Sequence, residues 1–302
     1  MTKVIAAGMP ASGKSTFIAA LTHLLTAEQV PTELRLAKLS EDEGHLSRLE
    51  EAWLAAARLD RTRKPSEKWV SFYVEDTQTK AQSELLVPDL RGELFAQPAT
   101  VGRCQRRLWE ALVECDGLLL FTNAEAPMDD LMVDQVSHMA VGLADLGAPV
   151  GSVAVNAERD TSTEINPITN PDAGKFRADD MPEQAKLVEL LQAMNRLPIA
   201  AKRRRLALVV SAWDVVGDYD PLAWVSANRP MLHQYLKHAS DWWEVRAYGV
   251  SAQGGDLPRE HGKLRAVRFP GERVIVVGHD AGPHDLTSIV KWVASSTVQR
   301  DV

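Results

Sequence analysis

Residues 8–15 read Gly8-Met9-Pro10-Ala11-Ser12-Gly13-Lys14-Ser15: a glycine, four residues, then Gly-Lys-Ser. No other feature restricts the fold of this chain as tightly. The apolar run at residues 3–7 reads as a strand, and the spacing after the loop predicts an amphipathic helix over 14–26. Between a strand and a helix, such a loop wraps backbone N–H groups around an anion at a favourable helix dipole. Gly8, Ala11, Ser12 and Gly13 keep the side chains small enough for that approach. Lys14 would reach the β- and γ-phosphates, Ser15 would offer a hydroxyl to Mg²⁺, and Thr16 continues the run into the helix. Pro10 lacks an N–H, so it must sit where no phosphate contact is needed.

This motif in this context is that of a P-loop nucleotide-binding protein. The expected fold class is α/β, a three-layer sandwich with a mainly parallel sheet and helices on both faces. Apolar runs alternating with helical patterns agree. Strands are expected near 32–38, 69–75, 84–87, 117–123, 206–210, 243–250 and 273–278. Helices are expected over 41–59, 103–114, 129–146, 183–197, 221–238 and 285–298, and 92–101 reads as irregular. Because strands are needed from residue 3 to about 278, the 302 residues are read as one enlarged domain, 1–302. Two insertions account for its length, a helical one at 41–66 and a polar loop plus helix at 151–197.

Three softer motifs fall at expected strand ends. Pro88-Asp89-Leu90-Arg91-Gly92-Glu93 fits strand-Asp-x-x-Gly, and Ser211-Ala212-Trp213-Asp214 ends a buried strand. Ser251-Ala252-Gln253 ends the next. In open α/β sheets ligands bind at the C-terminal ends of strands, so the order of the four motifs carries more weight than any one of them.

Together these residues resemble the translation-factor-related, Ras-like class of P-loop GTPases, and within it the bacterial double-GTPase families. The resemblance implies GTP or GDP and Mg²⁺ as ligands. It gives Asp89 a role beside Ser15 at the metal and makes the Gly92 N–H a sensor of the γ-phosphate. Asp214 would accept hydrogen bonds from guanine N1 and N2, which adenine cannot supply. Ser251, Ala252 and Gln253 would form the loop whose backbone meets the guanine O6. A switch threonine is expected, with Thr62 the candidate for metal and catalysis and Thr32 the alternative. The sequence departs from the class pattern at Ala212 and Gln253, where lysines are usual; Trp213 is read as a substitute stacking surface. Glu93 stands where many relatives carry a water-orienting Gln. Its carboxylate would repel the γ-phosphate, so slow hydrolysis is expected, awaiting a partner's arginine. A second GTPase, an effector or an activating protein is the implied partner, in a bacterial conflict or defence setting. The run Pro10-Ala11-Ser12-Gly13-Lys14-Ser15-Thr16 is also common in P-loop kinases, which is the alternative reading.

Lys and Arg number 34 against 41 Asp and Glu, a net charge of −7. That balance argues against nucleic acid or an anionic membrane as partner, while a bound nucleotide needs positive potential only locally. The basic run Lys202-Arg203-Arg204-Arg205 is read as a solvated charge cluster entering a strand. With only Cys104 and Cys115, two reduced thiols are expected rather than a disulfide framework. The N-terminal apolar run leads straight into the phosphate loop and no apolar stretch is long enough to span a bilayer, so a cytoplasmic location is expected. Asp285 is read as a helix cap.

Overall fold

The computed structural model describes residues 1–39, 43–57, 68–89, 93–126, 181–196 and 202–295. Eight strands form one sheet: β1 (Thr2–Gly8), β2 (Leu34–Leu39), β3 (Lys68–Asp76), β4 (Gln82–Asp89), β5 (Gly117–Asn123), β6 (Arg204–Ser211), β7 (Trp243–Ser251) and β8 (Ile275–Val277). Their spatial order is β2-β3-β4-β1-β5-β6-β7-β8. The five central strands run parallel, whereas β3 and β8 are antiparallel to their neighbours. β2 carries a register shift between Leu36 and Lys38.

Period-two alternation explains why the central strands read as unbroken apolar runs. Val4 and Ala6, Leu119 and Phe121, and Ala207 and Val209 face one core. Ile5 and Ala7, Leu118 and Leu120, and Leu206 and Leu208 face the other. Both faces are buried, as a parallel sheet between helical layers requires. On the first face lie α1 (Lys14–Ala27), α2 (Glu43–Leu54) and α9 (Thr287–Ala294). On the second lie α3 (Glu93–Thr100), α4 (Arg106–Glu114), α5 (Glu183–Met194), α6 (Pro221–Asn228) and α7 (Pro230–His238). A shorter helix, α8 (His261–Ala266), follows β7.

Three local expectations change. Residues 92–101 were expected to be irregular, yet α3 forms over most of them despite Pro98 inside it. Its register buries Phe95 completely, and that burial outweighs one lost backbone bond. The single helix expected over 221–238 is two helices. Pro230 lacks the N–H to continue the first and starts the second at its first position. Asp220 caps α6 by accepting from the Ala223 N–H at 2.7 Å. The basic run is not fully solvated: Arg204 is buried, donating to the carbonyls of Cys115 at 3.1 Å and Val113 at 3.0 Å. Those carbonyls end α4 and have no partner within the helix, so a buried guanidinium satisfies them. Within the region read as the 151–197 insertion, α5 buries Leu187, Leu190 and Leu191 fully in the second core. The helix expected over 129–146 and the polar stretch 151–180 lie outside the described residues.

Both cysteines are free thiols, and burial pushes Cys115 up to about 11. Asp285 accepts from the N–H of Thr287, the first residue of α9, at 2.8 Å. No helix among the described residues is long and apolar enough to cross a membrane.

One acidic group ties the turn between β3 and β4 to α9. Burial alone would raise the carboxyl of Asp76, but bonds from the Thr79 and Gln78 N–H groups and from Lys291 outweigh it and hold it below its ordinary 3.8. A depressed carboxylate contributes stability that is present above the unfolded value and lost as pH falls through the folded one. Asp76→Asn should therefore lower stability at neutral pH by about 1–2 kcal/mol and flatten the acid limb below about pH 4. Denaturant unfolding of both proteins across that range checks it; parallel acid limbs would refute the assignment.

Candidate functional site at the strand ends

The C-terminal ends of the parallel strands share one edge. Gly8 faces Phe121 in the β1–β5 register, Asn123 faces Ser211, and Ser211 faces Val250. Ile5 faces Leu86, which brings Asp89 level with Gly8. From β1 the chain first builds β2, β3 and β4 on one side and then crosses to β5 on the other, and the phosphate loop opens at this switch point.

The loop is held from several sides. Ala11 adopts φ 58° and Gly13 φ 85°, left-handed conformations that fold the chain back before α1 begins at Lys14. At Gly13 a side chain is excluded on two counts, since an added Cβ would also lie 2.6 Å from Ser211 Oγ. Asn123, at the end of β5, donates from Nδ2 to the Ala11 carbonyl at 2.9 Å and so supports the strained alanine. Behind it, buried Arg229 donates to the Asn123 carbonyl at 3.3 Å and pairs with Glu183 at 3.6 Å. Sequence reasoning missed Asn123 and Arg229. The only signal was an Asn closing an otherwise apolar strand.

Lys14 Nζ lies 2.7 Å from the Gly8 carbonyl, 2.9 Å from that of Met9 and 3.0 Å from Ser12 Oγ. It also sits over the Phe95 ring at 5.5 Å. The ammonium is thus fixed across the loop mouth rather than trailing in solvent. Ser12 is buried; Ser15 and Thr16, in the first turn of α1, are half-buried. Asp89 ends β4 and Glu93 opens α3. Thr62 and Gly92 lie outside the described residues. The alternative threonine, Thr32, precedes β2 at Leu34, which pairs with Asp76 at the far end of the sheet. It is therefore removed as a switch candidate.

Two loops face each other beyond β6 and β7. Ala212 turns with φ 56° into a short 3-10 turn, Trp213–Val215, leaving Asp214 half-buried. Among the described residues the Asp214 carboxylate meets no hydrogen-bond or ion-pair partner. Trp213 corrects an expectation: it is 2% exposed, against Gly249 and edge-on to Trp224 at 6.3 Å, so its ring packs the core instead of stacking on a ligand. Ser251 is buried and its Oγ accepts from the Gly254 N–H at 3.0 Å. The Ala252 carbonyl accepts from Trp53 Nε1, and Gln253 Nε2 is buried without a partner. A separate groove of about 670 Å³ between α5 and α7, lined partly by Asn195, Tyr235 and Trp242, lies toward the opposite end of the sheet.

The sequence profile of the Double-GTPase 1 family matches residues 5–293. The chain belongs to that family. Membership of the Double-GTPase 1 family sets the kinase alternative aside. None of the curated proteins matches the chain. Among solved structures it is similar to the bacterial selenocysteine-specific elongation factor EF-Sec, at 12% identity over 88% of this chain and 28% of that one, TM-score 0.32. It is similar to the S. cerevisiae Ski7 GTPase-like domain bound to GTP, at 11% identity over 84% and 43%, TM-score 0.38. It is also similar to the signal recognition particle receptor SRb-GTP/SRX complex of Chaetomium thermophilum, at 11% identity over 88% and 96%, TM-score 0.40. The chain spans less than a third of the elongation factor and less than half of the Ski7 chain.

Proposed function

We propose that this double-GTPase is a Mg²⁺-dependent switch that binds GTP and GDP, hydrolyses GTP slowly, and presents a nucleotide-dependent surface to a protein partner. The observation that carries the reading is geometric. The loop Gly8–Ser15, Asp89, Asp214 and Ser251–Gln253 all leave the sheet at one edge, with Lys14 bonded across the loop mouth. Lys14 meets the β- and γ-phosphates, while Gly8, Ala11, Ser12, Gly13 and Thr16 shape the amide cradle. Ser15 and Asp89 supply hard oxygens to Mg²⁺, which takes its remaining ligands from water and phosphate and needs no all-protein cage. The first-turn serine and the acid level with Gly8 suit that donor set. Gly92 and Thr62 close over the γ-phosphate, and Glu93 keeps intrinsic turnover slow. Asp214 reads the base; Ser251, Ala252 and Gln253 line its other edge.

The whole chain, 1–302, acts as one enlarged domain with insertions at 41–66 and 151–197. A second GTPase, an effector or an activating protein that lends an arginine is the partner, in a cytoplasmic bacterial conflict or defence system. Membrane and nucleic acid are not partners in this reading.

Calorimetry with GTP, GDP and ATP, with and without Mg²⁺, tests it. Guanine nucleotides should bind at least about tenfold more tightly than ATP, and Asp214→Ala should remove that preference by about 10- to 100-fold. A preference for ATP, or an Asp214→Ala protein with undiminished guanine affinity, would overturn the reading.

A further inference from the structure

The loop after β7 has little of its own to hold it. Gln253 Nε2 is buried but unpartnered, and among the described residues the Gly254 N–H to Ser251 Oγ bond ties the loop to itself. Its remaining support comes from 199 residues away. Trp53, fully buried near the end of α2, donates its indole Nε1–H to the Ala252 carbonyl at 2.8 Å. Arg273, also buried, stacks its guanidinium 4.1 Å from the Trp53 ring centroid and donates Nη2 to the Trp53 carbonyl at 3.0 Å. The indole therefore cannot turn without losing its packing and stranding its donor. The same ring lies 5.2 Å from that of His23 in α1, and His23 is bonded to Glu50 of α2 at 2.9 Å. α1 is the helix that the phosphate loop opens.

A peptide unit is planar and trans, so its carbonyl and its N–H point in opposite directions. Fixing the Ala252 carbonyl toward Trp53 turns the N–H of Gln253 to the other side of the chain. Among the described residues that N–H meets no acceptor. A donor held in place there accepts a base whose 6-position is a carbonyl and rejects one carrying an amino group, because the mismatch leaves polar groups unpaired.

We propose that Trp53 is a positioning residue for base selection, holding the Ala252–Gln253 peptide so that the Gln253 N–H selects a 6-oxopurine. The proposal rests on the reading that the 251–253 loop meets the base. Trp53 stands in the segment read from sequence only as an insertion, which gives that helix a part in nucleotide specificity.

Trp53→Phe keeps a buried ring beneath Arg273 while removing the indole donor; Gln253→Pro removes the proposed backbone donor itself. Affinities for GDP, IDP, ADP and inorganic pyrophosphate, all with Mg²⁺, are compared with the wild-type chain by calorimetry. GDP and IDP should weaken together by about tenfold in each variant, while ADP and pyrophosphate stay unchanged. A variant that merely loosened the fold would lose pyrophosphate as well. Unchanged GDP affinity in Trp53→Phe, or a parallel fall for GDP and pyrophosphate in it, overturns the role of Trp53. If Trp53→Phe fails to fold, unchanged GDP affinity in Gln253→Pro overturns the proposal. A wild-type chain that binds pyrophosphate but not GDP overturns the base-site reading instead.

Discussion

Lys14→Ala should lower GTP turnover by about 10²- to 10³-fold, the usual loss when one preorganised positive group is withdrawn from a developing charge. The Lys14 ammonium is within 3.0 Å of three oxygens, two of them backbone carbonyls of the loop, so it is already aimed across the mouth before the chemical step. Removing it would take away the donor those two carbonyls share, and with it the positive charge proposed to meet the phosphates. The lysine is half-buried but Gly8, Met9 and Ser12, whose oxygens accept from it, are buried, so a loss of about 1–2 kcal/mol is expected from the fold as well. Phosphate release measured beside a denaturant melt separates the two effects. Turnover close to wild type would remove Lys14 from the reaction.

Gly249→Ala should show the reverse balance, a large cost in stability for one methyl group. A Cβ at 249 would lie 2.1 Å from Trp213 Cδ2 and 2.3 Å from Cε2, far inside van der Waals contact. Trp213 cannot retreat, since it is buried and Trp224 stands edge-on behind it. Either β7 shifts or the indole leaves its well, and overpacking of this kind costs about 1–3 kcal/mol. The displacement should also reach Asp214, the next residue, so guanine affinity should fall with stability. An unfolding midpoint equal to wild type would show that the core has room the geometry denies.

How far the sequence could lead depended on the distance over which each constraint acts. The phosphate loop was legible because Gly8, Gly13, Lys14 and Ser15 lie within one turn and each answers a local demand. The parallel strands were legible because burial on both faces leaves runs such as Leu118–Phe121 with no polar interruption. The misreadings share a cause. Residues 92–101 read as irregular, but the burial of Phe95 was decided by a packing surface the local pattern does not contain. Arg204 looked like one charge among four until the end of α4 came to rest beside it. Trp213 was given a ligand's face to cover because nothing local announces that Gly249 leaves a slot of its own size. The bonds from Trp53 to Ala252 and from Asn123 to Ala11 span 199 and 112 residues, so no window along the chain could have suggested them.

The two borders of the sheet bear on how such a protein can assemble. At one border, among the described residues, stands β2, kinked by its register shift and carrying Arg35 and Lys38; at the other stands β8, three residues long. Neither offers a flat row of free amides and carbonyls on which a neighbouring chain could add a strand. Assembly through a shared, continuous sheet is thereby discouraged at both ends. A partner of the kind proposed above would then have to recognise side chains on helices and loops rather than add a strand.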